Sequence, residues 1–109
     1  MAKSLLVTRP KYDDGTEYLS AYALEVIKEA KSLEINVKDL EKTDANKKEV
    51  EKFITNKNPE IVFFNGHGSE EEICGHGGET LISDSNVSLV ILKKIYFLNV
   101  LYFFGNLKT

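Results

Sequence analysis

The side chains best suited to proton transfer and nucleophilic attack lie close together in this chain. Its two histidines and its single cysteine all fall between positions 67 and 76. His67 stands between Gly66 and Gly68, which permit unusual backbone angles and the close approach of a substrate. Because the pKa of an imidazole lies near neutrality, His67 is suited to act as a general base. The alternative is that His67 is a hydrogen-bonded residue of an ordinary turn.

Cys74 has two interpretations. As a nucleophile, it would use His67 as its base. As a small apolar residue, it would pack beside Ile73. We favour the packing role, because a nucleophile in the glycine-rich segment around Gly75 would need a rearranged site.

A metal site is a further alternative for the same residues. His67, Cys74 and His76 carry nitrogen and sulfur donors that zinc accepts, and a carboxylate from the acidic run Glu70–Glu72 would complete the set. Their spacing matches no standard zinc pattern, and a glycine-flanked hairpin is a loose scaffold for a metal. The sequence therefore favours proton transfer over metal binding at these positions.

The elements that must position these residues alternate between strands and helices. Apolar runs and apolar–polar alternation predict four strands: Leu5–Val7, Ile35–Val37, Ile61–Phe64 and Ile95–Leu98. Apolar residues at helical spacing predict one helix that begins near Asp14, with Glu17 in a capping box, and a second that begins after Asn46 and ends at Asn58-Pro59.

This alternation predicts a three-layer α/β fold built from residues 1–109 as a single domain. We expect a parallel sheet of about four strands in the order 2-1-3-4, flanked by helices, with a small hairpin after the third strand. Sites in such sheets form at the carboxyl ends of the strands. The loop 65–69 that carries His67 should therefore face the end of the fourth strand, at Asn99 and Val100.

The apolar strand followed by Asn65-Gly66-His67-Gly68-Ser69 resembles the histidine loop of caspase-like cysteine peptidases. The acidic run and hairpin that follow are most similar to those of gingipain-type and prokaryotic members. This resemblance implies a caspase-like fold, a peptide or protein substrate and no cofactor. It also implies that His67 is the catalytic imidazole and that the N–H of Gly68 helps to form the oxyanion hole.

The chain departs from this family where the nucleophile is expected. In the family, the catalytic cysteine follows the next buried strand, which corresponds here to Asn99 or Val100. Neither is an activated nucleophile. The family's domain also continues with further strands that this chain lacks. We therefore expect a truncated or degenerate relative that is inactive as a peptidase.

Composition narrows the remaining function classes. The net charge of −3 and the pI of about 5.4 argue against nucleic-acid binding. The apolar stretches are too short for a signal peptide or a membrane span, and a single cysteine suits a reducing compartment, so we expect a cytoplasmic protein. No glycine pattern matches a phosphate-binding fingerprint.

The last apolar segment predicts self-association. With no later strand to pair with it, the strand that begins at Ile95 would expose its backbone N–H and C=O groups at the sheet edge. Aromatic residues continue this segment to Phe104. We therefore expect a homo-oligomer formed through Ile95–Phe104, which makes a self-associating interaction domain a further alternative for the function.

Overall fold

The computed structural model describes residues 3–69, 71–88 and 95–102, the last of these as backbone. Its six strands form one mixed sheet. The strands are β1 (Ser4–Arg9), β2 (Asn36–Glu41), β3 (Ile61–Gly68), β4 (Ile73–Cys74), β5 (Thr80–Ile82) and β6 (Ile95–Tyr102). The predicted α/β class is confirmed.

The pairing pattern explains why the sheet is mixed and not purely parallel as predicted. β1 pairs in parallel with β2 and β3, and β3 pairs in parallel with β6. The hairpin of β4 and β5 joins the same sheet through an antiparallel bridge between Gly68 and Ile73. The hairpin was predicted from its glycines, but its attachment to the end of β3 was not.

The first helix, α1 (Asp14–Ser32), covers one face of the sheet. Its apolar residues pack against the inward side chains of β1 and β3 in a cluster of Leu5, Val7, Ala23, Ile27, Ala30 and Phe63. The helix cap is Asp13, and Thr16 closes the capping box. The predicted pair Asp14 and Glu17 was therefore wrong by one residue, because Asp13 has the extended backbone that a cap requires.

The second helix, α2 (Lys47–Lys57), covers the opposite face. Its buried residues pack in a cluster of Leu6, Leu40, Val50, Ile54, Val62, Phe64, Leu81 and Ile82. Asn46 caps its start by accepting a hydrogen bond from the N–H of Glu49, as predicted. Asn58 ends the helix in the left-handed conformation just before Pro59. The two helices and the sheet make three layers.

Strands β3 and β6 are longer than their apolar cores suggested. β3 continues through Asn65 and His67 to Gly68, so the predicted loop from Asn65 to Gly68 is strand. β6 continues through Asn99 to Tyr102. Each strand supports the other, because they pair residue by residue from Ile61 and Ile95 to their ends. In the described part of the chain, neither helix is long and apolar enough to cross a membrane.

Candidate active site at the carboxyl end of the sheet

His67 lies near the end of β3, where it pairs with β6; β1 pairs with β3 only as far as Phe64. The residue before it, Gly66, has a φ of +141°, which side chains other than glycine rarely adopt. A Cβ atom there would lie 2.9 Å from the carbonyl oxygen of Cys74 and 3.0 Å from Cγ of Pro10. Gly66 is thus required by close packing, and it fixes the backbone from which His67 projects.

A carboxylate lies directly against the imidazole. Nε2 of His67 is 2.7 Å from Oδ2 of Asp13, and the two side chains are 16% and 42% exposed. The other carboxylate oxygen of Asp13 accepts hydrogen bonds from the N–H and the hydroxyl of Thr16. Asp13 therefore caps α1 with one oxygen and orients His67 with the other.

The pKa of Asp13 reflects both partners. Partial burial acts to raise it, but the N–H of Thr16 and the ring of His67 stabilise the carboxylate, and the net result is a pKa below the ordinary value. Asp13 is therefore ionised at neutral pH. An ionised carboxylate hydrogen-bonded to a histidine fixes the orientation of the ring.

Tyr12 packs against both histidines of the chain. Its ring centroid lies 5.9 Å from that of His67 and 5.3 Å from that of His76. Burial, with smaller contributions from Asp13 and Cys74, raises the pKa of the phenol. Tyr12 is therefore neutral at physiological pH and forms an apolar wall beside the His67–Asp13 pair.

Two buried polar residues hold β1 and β3 in register beneath the site. The amide nitrogen of the Asn65 side chain donates to the carbonyl oxygen of Thr8 at 3.0 Å, and the backbone N–H of Asn65 donates to the Thr8 hydroxyl at 3.3 Å. This cross-link fixes the strand ends two residues before His67.

Gly68, the predicted oxyanion-hole residue, lies inside β3. It pairs with Ile73 of β4 on one side and with Tyr102 of β6 on the other. It is the only described residue of β3 with strand partners from both of these elements. Its role as a hydrogen-bond donor to a substrate stays a prediction.

The residue of β6 beside His67 is Leu101, not Asn99 or Val100 as predicted. Asn99 pairs with Asn65, and Val100 pairs with Gly66. The prediction was wrong because it ended both strands too early. The chain is still expected to be inactive as a peptidase, because leucine also lacks a nucleophilic atom.

Cys74 is buried in β4. Burial, reinforced by the nearby carboxylate of Glu72, raises the pKa of its thiol. A buried neutral thiol is a poor nucleophile and a poor metal ligand. This environment supports the packing role that the sequence favoured.

The structure does not assemble the metal site considered as an alternative. Among the described residues, no group of three histidine, cysteine, aspartate or glutamate side chains could hold a metal ion. Tyr12 packs against the rings of His67 and His76, but these two histidines and Cys74 do not form a common ligand set. Glu70, one of the carboxylates considered as a fourth ligand, lies outside the described residues.

Asp13 is the site residue that sequence reasoning missed. The sequence predicts site residues only in the segments after the third and fourth strands, which leaves out the segment before α1. The available signal was topological: β1 is parallel to β3, so the loop after Arg9 must lie near the end of β3.

No family model, curated protein or solved structure matches this chain.

Proposed function

We propose that this chain is a caspase-like cysteine peptidase-related domain that retains the histidine machinery but does not cleave peptides. The observation that carries this proposal is the 2.7 Å contact between His67 and Asp13 at the carboxyl edge of the sheet. A histidine oriented by a carboxylate is prepared to take a proton from a nucleophile. The parallel neighbours of β3 also agree with the strand order of that fold.

Inactivity follows from the nucleophile side of the site. In β6, the position beside His67 is Leu101. The one cysteine is buried, with a raised pKa. We propose that the intact chain is cytoplasmic and is not labelled by thiol-directed peptidase probes. Peptide hydrolysis that disappears in Cys74→Ala would contradict this.

A gain-of-function variant tests the histidine directly. In a Cys74→Ala background, Leu101→Cys introduces one thiol at the position paired with His67. If His67 is a working base, iodoacetamide should alkylate this thiol at neutral pH about tenfold faster than in the same protein with His67→Ala. The matched control is Asn99→Cys in the same background, which lies two residues earlier on β6 and should show no dependence on His67.

The result would be decisive in either direction. Equal alkylation of the Leu101→Cys thiol with and without His67 would mean that the histidine is not placed to activate a thiol, and the peptidase relationship would lose its support. Circular dichroism should confirm that each variant retains the α/β fold before its rate is interpreted.

Self-association is a second candidate function, favoured by the pairing of β6. β6 pairs with β3 along its whole length, and within the described residues no strand pairs with its other edge. We propose that a second copy of the chain packs there, through Ile95–Phe104. Phe103 and Phe104 lie outside the described residues. Light scattering at micromolar concentration should show a dimer or larger species, and a monomer would contradict this candidate.

A further inference from the structure

An apolar groove runs between α1 and β3 on the face opposite α2. It has a volume of about 690 Å³. Its residues are contributed by α1, by the segment that follows it, and by the amino-terminal halves of β1 and β3. The apolar ones are Leu5, Tyr22, Val26, Ala30, Leu33, Ile35, Ile61 and Phe63. The groove lies away from His67, so it is not part of the site described above.

On the α1 side of the groove, two large apolar side chains are exposed to solvent. Tyr22 is 57% exposed and Leu33 is 63% exposed. A contiguous apolar surface with a polar rim is typical of an interaction site, whereas isolated exposed apolar residues are ordinary. Burying both side chains would remove a large apolar area from water, which favours association.

The layer structure indicates the shape of the partner. β6 pairs with β3 on the edge opposite β1, beginning at Ile61, which is one of the groove residues. In the described part of the chain, neither α1 nor α2 packs extensively on β6. In α/β folds, such a sheet face is covered by a further helix. That helix packs beside the neighbouring helix, with about 8–10 Å between the two helix axes. A helix is therefore the element that fits alongside α1.

Charge indicates the chemistry of the partner. Glu25 and Glu29 line the groove one turn apart on α1. Glu25 forms only a loose surface pair with Lys28, at 3.7 Å. A second copy of α1 would bring its own two glutamates against these, which is repulsive. A lysine- or arginine-bearing helix would instead form complementary pairs along the rim.

We propose that this groove binds a basic amphipathic helix of a partner protein. Its apolar face would lie on Tyr22, Leu33 and Phe63, and its cations would face Glu25 and Glu29. This inference does not depend on the peptidase relationship, because it uses neither His67 nor Asp13.

Two model peptides test the inference against the full chain. Each has about 15 residues, the length at which isolated helices become marginally stable. One carries leucine on one face and lysine on the other, and its match carries glutamate in place of lysine. Fluorescence anisotropy should show binding of the lysine peptide and at least tenfold weaker binding of the glutamate peptide.

Variants then locate the binding surface. Tyr22→Ser and Leu33→Ser should each weaken binding of the lysine peptide about tenfold. The double variant Glu25→Lys and Glu29→Lys should reverse the preference toward the glutamate peptide. All four positions are on the surface side of α1, and the charge reversal keeps the test valid if a serine variant unfolds.

Matched controls come from the same helix. Tyr18 and Leu24 are also exposed but do not line the groove. Tyr18→Ser and Leu24→Ser should leave binding within about twofold of the unmodified chain. Equal loss in the control variants, or an unchanged peptide preference after charge reversal, would overturn the proposal. The proposal would also be overturned if sedimentation showed that Tyr22→Ser dissociates a homo-oligomer, because a second copy of the chain would then occupy the groove.

Discussion

Two carboxylate contacts stand near the carboxyl end of β1, one with an arginine and one with a histidine, and they differ in exposure and in the chemistry of the nitrogen partner. Arg9, the last residue of β1, donates to Asp39 through Nε at 2.9 Å and Nη2 at 2.7 Å. Its third nitrogen donates to the hydroxyl of Ser20 at 2.6 Å. Asp13, four residues later, meets His67 through a single contact at 2.7 Å.

The contact between Arg9 and Asp39 is a structural one. The guanidinium side chain is 5% exposed, and Glu41 adds a longer contact at 3.5 Å. The hydrogen bond with Asp39 raises the pKa of Arg9 despite the opposing effect of burial. A guanidinium stays protonated in proteins, so this pair ties β1, β2 and α1 together without taking part in proton transfer.

The His67 pair is more exposed, at 16% and 42%, and its nitrogen partner is an imidazole, a type of side chain that can exchange protons near neutral pH. The comparison teaches that a close ion pair is not itself evidence of chemistry. Partial exposure and a titratable partner separate the candidate catalytic pair from the structural one.

Removing Arg9 should have the largest effect on stability. In Arg9→Met, Asp39 keeps its charge but loses its partner, and the hydroxyl of Ser20 loses its donor. Breaking a fully buried pair costs about 3–5 kcal/mol, and the 30% exposure of Asp39 reduces our expectation to about 2–3 kcal/mol. Urea unfolding should measure this loss.

The control for Arg9→Met is Lys28→Met, which removes the exposed pair with Glu25. It should change the free energy of unfolding by less than about 0.5 kcal/mol. Similar losses in the two variants would mean that the Arg9 network is no more important than a surface pair.

Gly66→Ala should have the next largest effect. A methyl group there would lie 2.9 Å from the Cys74 carbonyl oxygen, closer than real Cβ atoms approach, and 3.0 Å from Cγ of Pro10, at a φ that alanine avoids. We expect a loss of about 2–3 kcal/mol in thermal or urea unfolding. Gly77→Ala is the control, because its φ is +66° but its surroundings are open. It should cost only about 1 kcal/mol.

Much of the fold was predictable because its signals are local. The apolar spacing of α1 and the cap of α2 at Asn46 depend on residues within a few positions of one another. The lengths of β3 and β6 were not predictable in this way. Asn65 and Asn99 resemble strand ends, but pairing between the two strands carries both beyond their apolar cores.

The candidate site was only half predictable for a related reason. The glycines on either side of His67 marked the histidine. Asp13 is 54 residues away in sequence, and only the adjacency of β1 and β3 brings it to the imidazole. Asp13 also caps α1, a role that the sequence assigned to Asp14, so no local signal marked Asp13 as a partner of the histidine.

Asp13→Asn should produce a smaller, pH-dependent effect. Asparagine caps helices about as well as aspartate, so the variant retains the cap and removes the charge that faces His67. We expect a loss of about 0.5–1 kcal/mol at neutral pH, as for a partly exposed pair. Because folding lowers the pKa of Asp13 below 3.8, the contribution of its charge is present above that pH and is lost as the pH falls through the folded value. Urea unfolding measured stepwise from pH 6 downward should show the difference shrinking once the pH falls below about 3.8, whereas a difference that does not change with pH would assign the effect to something other than the charge.

The smallest effect concerns Cys74 and separates it from a catalytic thiol. Burial raises its pKa and limits access, so iodoacetamide should alkylate it at least tenfold more slowly in the folded protein than in urea.

Glu72 adds a repulsive charge that also raises this pKa, and Glu72→Gln should therefore speed alkylation of the folded protein by about twofold at pH 8. Glu72 also accepts a hydrogen bond from the Thr80 hydroxyl, so Thr80→Val serves as the control for a loosened hairpin. Equal acceleration in both variants would attribute the change to access to the thiol. Acceleration in Glu72→Gln alone would show that the carboxylate itself helps to keep the chain's single cysteine protonated.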